Sequence, residues 1–285
     1  MKLCGVWGIG QMIIRRKEIE SLSADIRRII DGQAIDLRDN LEGKLSILKN
    51  DIHILAGRLN EQADNLNKEK IAMANILADI SHQLKTPLTA MMVMVELLEN
   101  ASPDKQAEFI GNLKQGLTQT EWLVSSLLKM AKLESGSVTF NPVKVSVSEL
   151  LSRALTPLQI LLDIKDQKVN QLGESELLCD KNWTVEAITN IIKNASEHSP
   201  KGSVIEVNTG SNPLCTWLSI TDAGMGIPLE KIKNLFQRFG NPASAGTGIG
   251  LPLALAIMRG QNGDIDVDGG GNGSGATLTL KFFAR

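Results

Sequence analysis

The feature that most narrows the folds open to this chain is an apolar stripe that steps by four and three residues. It begins with Leu41, Leu45, Leu48, Ile52, Leu55 and Leu59, admits Gln62 and then Leu66, and resumes at Met73, Ile76 or Leu77, Ile80 and Leu84. A seven-residue repeat held this long keeps one seam facing a partner helix, and it reads as a coiled coil. An amphipathic helix packed on its own domain has the same period, but globular helices rarely run this far. Gly43 and Gly57 weaken the helix locally, by about 1 kcal/mol each relative to alanine. A second repeat, Ile110, Leu113, Leu117, Thr120, Val124, Leu127 and Ala131, follows the turn "ASPDK". Pro103 after a serine is a helix-start signal, and Gly136 is a candidate C-terminal cap. Two such helices joined by a short turn form an antiparallel hairpin. Each apolar face is too wide to bury alone, so two hairpins are expected to pair into a dimeric four-helix bundle.

Within this pattern, "ISHQLKTPL" places a histidine and a proline five residues apart. His82 is two residues past Ile80 and two before Leu84, which at about 100° per residue puts it off the stripe. The ring is expected to face solvent or a partner, as a nucleophile or as a solvated surface residue. Pro87 lacks an N–H, so the carbonyl of Gln83 loses its helical partner and the helix is expected to bend just past His82. Such a bend would let His82 reach a mobile second domain. His53 lies beside the seam with no motif around it and reads as a surface residue.

After Gly136 the period changes. "VTFNPVKVS", "SVIEVNT" and "TWLSITDAG" read as strands, "SELLSRALTPLQILL" and "WTVEAITNIIKNASEH" as helices, and "GDIDVDGGGNGSGATLTLKFF" as a hairpin around a glycine-rich loop. Residues 138–285 are therefore expected to form a separate α/β domain, and a length of 285 residues suits about two domains. The 30 Lys and Arg and 32 Asp and Glu are interspersed. No basic stripe is left for nucleic acid, so that class of partner is excluded. Three cysteines, Cys4, Cys179 and Cys215, fit neither a disulfide framework nor a metal site and point to a reducing compartment. The apolar run Leu3 to Ile14 is shorter than the roughly 20 residues a membrane span takes. Its basic cluster, Arg15, Arg16 and Lys17, follows the run rather than preceding it, unlike a signal peptide. Two readings stay open: the cytoplasmic end of a membrane anchor, or a short interfacial or buried segment.

Three clusters in the second half carry chemistry. In "NIIKNASEHS", Asn190 and Asn194 are four apart on one helix, so both point the same way. A carboxamide oxygen is a hard neutral ligand suited to hydrated magnesium, although asparagines also serve as caps. In "DAGMGI", Asp222 closes a strand and could accept from an exocyclic amine, and Gly224 and Gly226 allow close backbone approach. A tight turn uses the same residues. In "GTGIGL", Gly246, Gly248 and Gly250 run into an apolar helix, whose N–H groups and dipole suit phosphates. The Gly-Lys-Thr of a P-loop is missing.

In this order, downstream of "SHQLKTPL", the clusters resemble the sensor histidine kinases of two-component systems from about Asn40 to the C-terminus. The resemblance implies that His82 is phosphorylated, flanked by Gln83 and Thr86. It implies Asn194 for Mg2+, Asn190 for the phosphates and Asp222 for the adenine amine of ATP. It also implies nucleotide contacts from His198, Gly224, Gly226 and Ile227, from Phe236 in "LFQRF", and from Gly246, Thr247, Gly248, Gly250 and Leu251. The fold implied is α+β: a coiled-coil linker (residues 18–70) after the N-terminal segment (1–17), then a dimeric phosphoacceptor hairpin (71–136), then an α/β sandwich ATP-binding domain (138–285).

The resemblance further implies that an aspartate of a response regulator receives the phosphoryl group, with Thr86 orienting the water that later removes it. It places the chain in the cytoplasm or at the inner face of the plasma membrane. Three features depart from the family pattern. Gln83 stands where Glu or Asp is usual, Glu197 stands where Lys or Arg is common, and the stretch from Phe239 to Gly246 is short. Glutamine is no proton acceptor, so attack by His82 is expected to proceed without a neighbouring base. Two other classes remain: an ATPase of the same nucleotide fold, and a non-catalytic ATP-binding coiled-coil scaffold.

Overall fold

The computed structural model describes residues 19–24, 26–28, 44–99, 101–239, 248–271 and 273–283. The segment 1–17 and the site candidates Gly246 and Thr247 lie outside these residues. Contacts divide the chain into two units, Met1–Leu77 and Ala78–Arg285. No helix among the described residues is long and apolar enough to cross a membrane.

Helix α1 (Lys44–Leu98) runs without a break through the sequence boundary at residue 70 and through Pro87. Much of its described seam is exposed: Leu48, Leu55, Leu59, Leu66, Met73 and Leu77 lie between 48% and 66%, whereas Ile52, Ile80 and Leu84 are half-buried. Helix α2 (Pro103–Glu134) begins with Ser102 at its N-cap and Pro103 in the first turn. It ends at Ser135, and Gly136 follows at φ 65°. Met91 of α1 packs over Gly116 of α2. Helix α2 has two apolar faces. Ile110, Leu117 and Val124 are exposed, whereas Leu123 and Met130 are buried and join the core of the second domain.

That domain is built on a five-stranded sheet. Its strands are β2 (Lys168–Leu172), β4 (Val204–Ser211), β5 (Cys215–Thr221), β6 (Gly263–Asp268) and β7 (Thr277–Phe283), in the order β2-β4-β5-β7-β6. β2 and β4 are parallel and the other neighbours antiparallel. Alternation sends one side of each strand inward, and the register matches the rows: Val207 opposes Ile220, which opposes Leu278, while Leu218 opposes Leu280, which opposes Ile265. Helices α5 (Lys181–His198) and α7 (Gly250–Gly260) cover that side with Ile188, Ile191, Ile192, Leu253, Ala254 and Ile257, all inaccessible to solvent. Helix α3 (Val147–Leu155) packs on α5, and the one-turn helix α6 (Leu229–Ile232) follows the loop after β5. A short ladder of β1 (Pro142–Ser146) and β3 (Glu176–Asp180) closes one end.

Two expectations change. The helix expected over "SELLSRALTPLQILL" is three pieces: α3, a 3-10 turn Thr156–Leu158 and α4 (Gln159–Ile164). Pro157 cannot donate to the turn before it, and the backbone tightens there. The strand expected from Val138 starts only at Pro142.

Helices α3 and α5 start on side-chain caps. The Ser146 hydroxyl accepts from Glu149 N at 3.2 Å, the first half of a capping box. Asp180 Oδ1 accepts from Asn182 N and Trp183 N, each at 3.1 Å, and its Oδ2 accepts from Asn141 N at 2.9 Å. Because α5 carries one wall of the cleft described below, its cap fixes that wall. Asp180→Ala removes three acceptor bonds and should cost about 1–2 kcal/mol, read as a lower urea midpoint with unchanged slope. A midpoint equal to the parent's would show that the cap contributes nothing.

Candidate nucleotide-binding site

One face of α5 carries Asn190, Lys193, Asn194, Glu197 and His198, at helical steps of three and four. This face lines a cleft of about 440 Å³, within the size range of small-ligand sites. The loop after β5 supplies Asp222, Gly224, Gly226 and Ile227, and the start of α7 supplies Gly248, Gly250 and Leu251. Trp122 closes the cleft from α2.

Asp222 is buried, and its carboxylate is fixed from two sides. Oδ1 accepts from Gly224 N at 2.8 Å and Ala276 N at 3.1 Å, while the Asp222 amide donates to Ala276 O. The carboxylate is thus oriented by backbone rather than by a mobile side chain. Gly226 sits at φ +77°, and a Cβ there would lie 2.4 Å from Gly269 O. Only glycine lets this loop turn under the cleft.

Asn190 Nδ2 donates to Glu186 O at 2.9 Å, and Asn190 Oδ1 is buried with no hydrogen-bond partner. A Cβ on Gly250 would come within 3.0 Å of that oxygen, so the glycine keeps the space before it open. An orphaned buried acceptor is costly, about 1–3 kcal/mol, and it calls for a donor or a cation. Phosphate oxygens are themselves acceptors and cannot satisfy it. The carboxamide oxygens of Asn190 and Asn194 fit a hydrated divalent cation. No cluster of three or more His, Cys, Asp or Glu competes for a metal among the described residues.

Lys193 Nζ lies 3.9 Å from the centre of the Trp122 ring and 4.0 Å from Glu197 Oε1. Burial pushes its ammonium below the ordinary lysine range, and the Glu197 carboxylate partly offsets this. Two further ion pairs fasten the domain to α2: Lys129 to Glu186 at 2.8 Å, and Arg238 to Glu134.

Several sequence candidates are not in the cleft lining. His82 is exposed on α1, and the Thr86 hydroxyl donates to His82 O at 3.2 Å. Neither they nor Gln83 line the cleft. Phe236, expected at the nucleotide, is half-buried against the hydrophobic core with Phe239. Phe239 has φ 57°, and its amide donates to Gly248 O at 3.1 Å, which ties the segment to the start of α7. Sequence reasoning missed Trp122, Lys193 and Lys231 among the lining residues. Lys193 was within reach, three residues after Asn190 on the same face. Trp122 was not, because its place depends on a long-range contact.

Residues 72–136 match the family model of the His Kinase A (phospho-acceptor) domain. Residues 179–284 match that of the histidine kinase-, DNA gyrase B-, and HSP90-like ATPases. The chain belongs to the histidine kinase family. The sensor histidine kinase YclK of Bacillus subtilis is 26% identical over 229 residues, covering 78% of this chain and 48% of that protein. The swarming motility regulation sensor protein RssA of Serratia marcescens is 30% identical over 167 residues, covering 57% of this chain and 36% of that protein. This histidine kinase chain thus spans about half the length or less of such relatives. The Acinetobacter baumannii histidine kinase AdeS shares its fold, with a TM-score of 0.59 at 21% identity over 71% of this chain and 97% of that one. So does histidine kinase ThkA, solved in complex with response regulator protein TrrA, with a TM-score of 0.62 at 15% identity over 79% of this chain and 66% of that one. The ATPase-family match and the cleft agree on ATP as the nucleotide.

Proposed function

We propose that this chain is an ATP-dependent protein histidine kinase that phosphorylates His82 and passes the phosphoryl group to an aspartate of a response regulator. The reading is carried by the unpartnered Asn190 oxygen in the floor of the cleft. With it goes an exposed histidine on a separate helix of the same chain. Asp222, fixed by two backbone amides, accepts from the adenine amine. His198, Ile227 and Leu251 border the cleft around it, and the amides at Gly248 and Gly250 face the phosphates at the start of α7. Asn194 would hold magnesium, and the unpartnered Asn190 oxygen, being an acceptor, suits the same cation better than a phosphate oxygen. The cation held there would neutralise phosphate charge.

The unprotonated nitrogen of His82 forms the P–N bond, the bridging P–O bond breaks, and ADP leaves. The proton on the other ring nitrogen is lost to water afterwards, because Gln83 cannot accept it. Thr86, one turn beyond His82, orients the water that removes phosphate from the regulator. Since His82 does not line the cleft, α1 and the nucleotide domain must adopt a second relative arrangement for transfer.

The exposed seams of α1 and α2 support a homodimer paired through the linker helix and the hairpin. Covering the exposed half of each apolar seam side chain would contribute on the order of 1 kcal/mol. Residues 1–17, read from the sequence as the cytoplasmic end of a membrane anchor or as a short interfacial segment, would hold the kinase at the inner face of the plasma membrane.

Incubation with γ-labelled ATP should give an acid-labile, base-stable label on the parent. His82→Gln should lose the label and keep ATP affinity, because His82 is outside the cleft. Label persisting on that variant would refute the assignment. Steady phosphate release without label would favour the ATPase reading, and binding with neither would favour the scaffold. Sedimentation should give a dimer at micromolar concentration; a monomer would contradict the seam pairing.

A further inference from the structure

Glu197 stands where Lys or Arg is common in the family, so that position brings no cation to the cleft. The nearest ammonium on the same face is Lys193, one turn earlier. It lines the cleft, and it is held between two partners, the Trp122 ring at 3.9 Å and Glu197 at 4.0 Å. Trp122 belongs to α2, so this one side chain joins the nucleotide cleft to the hairpin. Gly250 stands beside the same ring: a Cβ there would lie 3.6 Å from it and 3.0 Å from the unpartnered Asn190 oxygen. The indole, the ammonium and the orphaned acceptor therefore converge on one corner of the cleft.

Resting on the ATP reading of the cleft, we propose that Lys193 is the cation that engages the polyphosphate, and that it does so in competition with Trp122. A lysine ammonium is a point charge with three rotatable donors on a flexible stem, so it can leave an indole face for a phosphate without moving the backbone. A cation–π contact at a partly exposed site is worth less than a charge-assisted bond to phosphate. Polyphosphate in the cleft draws Lys193 off the ring, and one contact between the nucleotide domain and α2 is released. Adenosine, lacking the phosphates, leaves the contact in place. Phosphate binding is thereby coupled to how firmly the nucleotide domain sits on the hairpin.

The test compares ATP, adenosine and inorganic tripolyphosphate on the full chain. Lys193→Gln should weaken ATP binding about tenfold or more and leave adenosine affinity unchanged, and Lys193→Arg should restore most of the loss. Tripolyphosphate should alter the tryptophan emission of the parent. That change should be absent in Trp122→Phe and in Lys193→Gln, and adenosine should not produce it. An unchanged ratio of ATP to adenosine affinity in Lys193→Gln would overturn the proposal. So would equal losses for both ligands, or an emission change from adenosine alone. A parent that binds neither ATP nor adenosine would overturn the ATP reading itself, whereas ATP binding indifferent to Lys193 would overturn only this inference.

Discussion

The seat of the nucleotide domain on α2 is the contact on which the rest of the arrangement depends. Leu123 and Met130 enter the domain core from the hairpin side. Around them stand the Lys193–Trp122 contact and the ion pairs Lys129–Glu186 and Arg238–Glu134. The two kinds of contact are unequal. Full burial of each apolar side chain is worth about 1.5–3 kcal/mol, whereas part-exposed ion pairs contribute roughly 0–1 kcal/mol each. The apolar contacts, Leu123 and Met130 with the half-buried Leu127, Leu133 and Leu84 packed on the same core, hold the domain, and the charges select its register. A seat of a few kcal/mol is firm enough to define the cleft wall and weak enough to be broken by a ligand.

That seat explains the two faces of α2. Seven-residue periodicity with a single apolar face would serve either the second helix of a bundle or the nucleotide domain. This helix serves both: Ile110, Leu117 and Val124 stay exposed, while Leu123, Ser126 and Met130 are covered by the domain. A rotation or shift of α2 therefore moves the bundle seam and the cleft wall together. Such a shared helix is the kind of element that two packings can bias.

The sequence made the periodic and the local parts legible. The stripes of α1 and α2, the Ser102–Pro103 start and the left-handed Gly136 were all visible as patterns. So were Asp222 at a strand end and the hairpin of β6 and β7. Strands β2 and β3 were not: "KVNQL" and "ELLCD" are five residues each, half of them polar, and carry little alternation. The break at Pro157 was hidden because an apolar run continues across it. Phe236 was read from its motif and packs half-buried against the core rather than lining the cleft, since a motif does not specify which way a ring turns. The cleft residues contributed from afar, above all Trp122, have no local signature, because a contact between residues as far apart in the chain as Trp122 and Lys193 is set by packing rather than by spacing. Asn190 and Asn194 could be placed on one face, but only packing separates the buried, unpartnered oxygen of the first from the half-exposed second.

The central claim is that the seat on α2 keeps the cleft away from His82 and must open before transfer. The direct measurement joins Lys129→Cys to Glu186→Cys with a short cleavable bismaleimide, in a chain carrying Cys4→Ser, and follows ATP binding and labelling of His82 before and after cleavage. The account predicts that the joined chain binds ATP yet stays unlabelled, and that cleavage of the linker restores labelling. Labelling of the joined chain as fast as that of the cleaved one would contradict it.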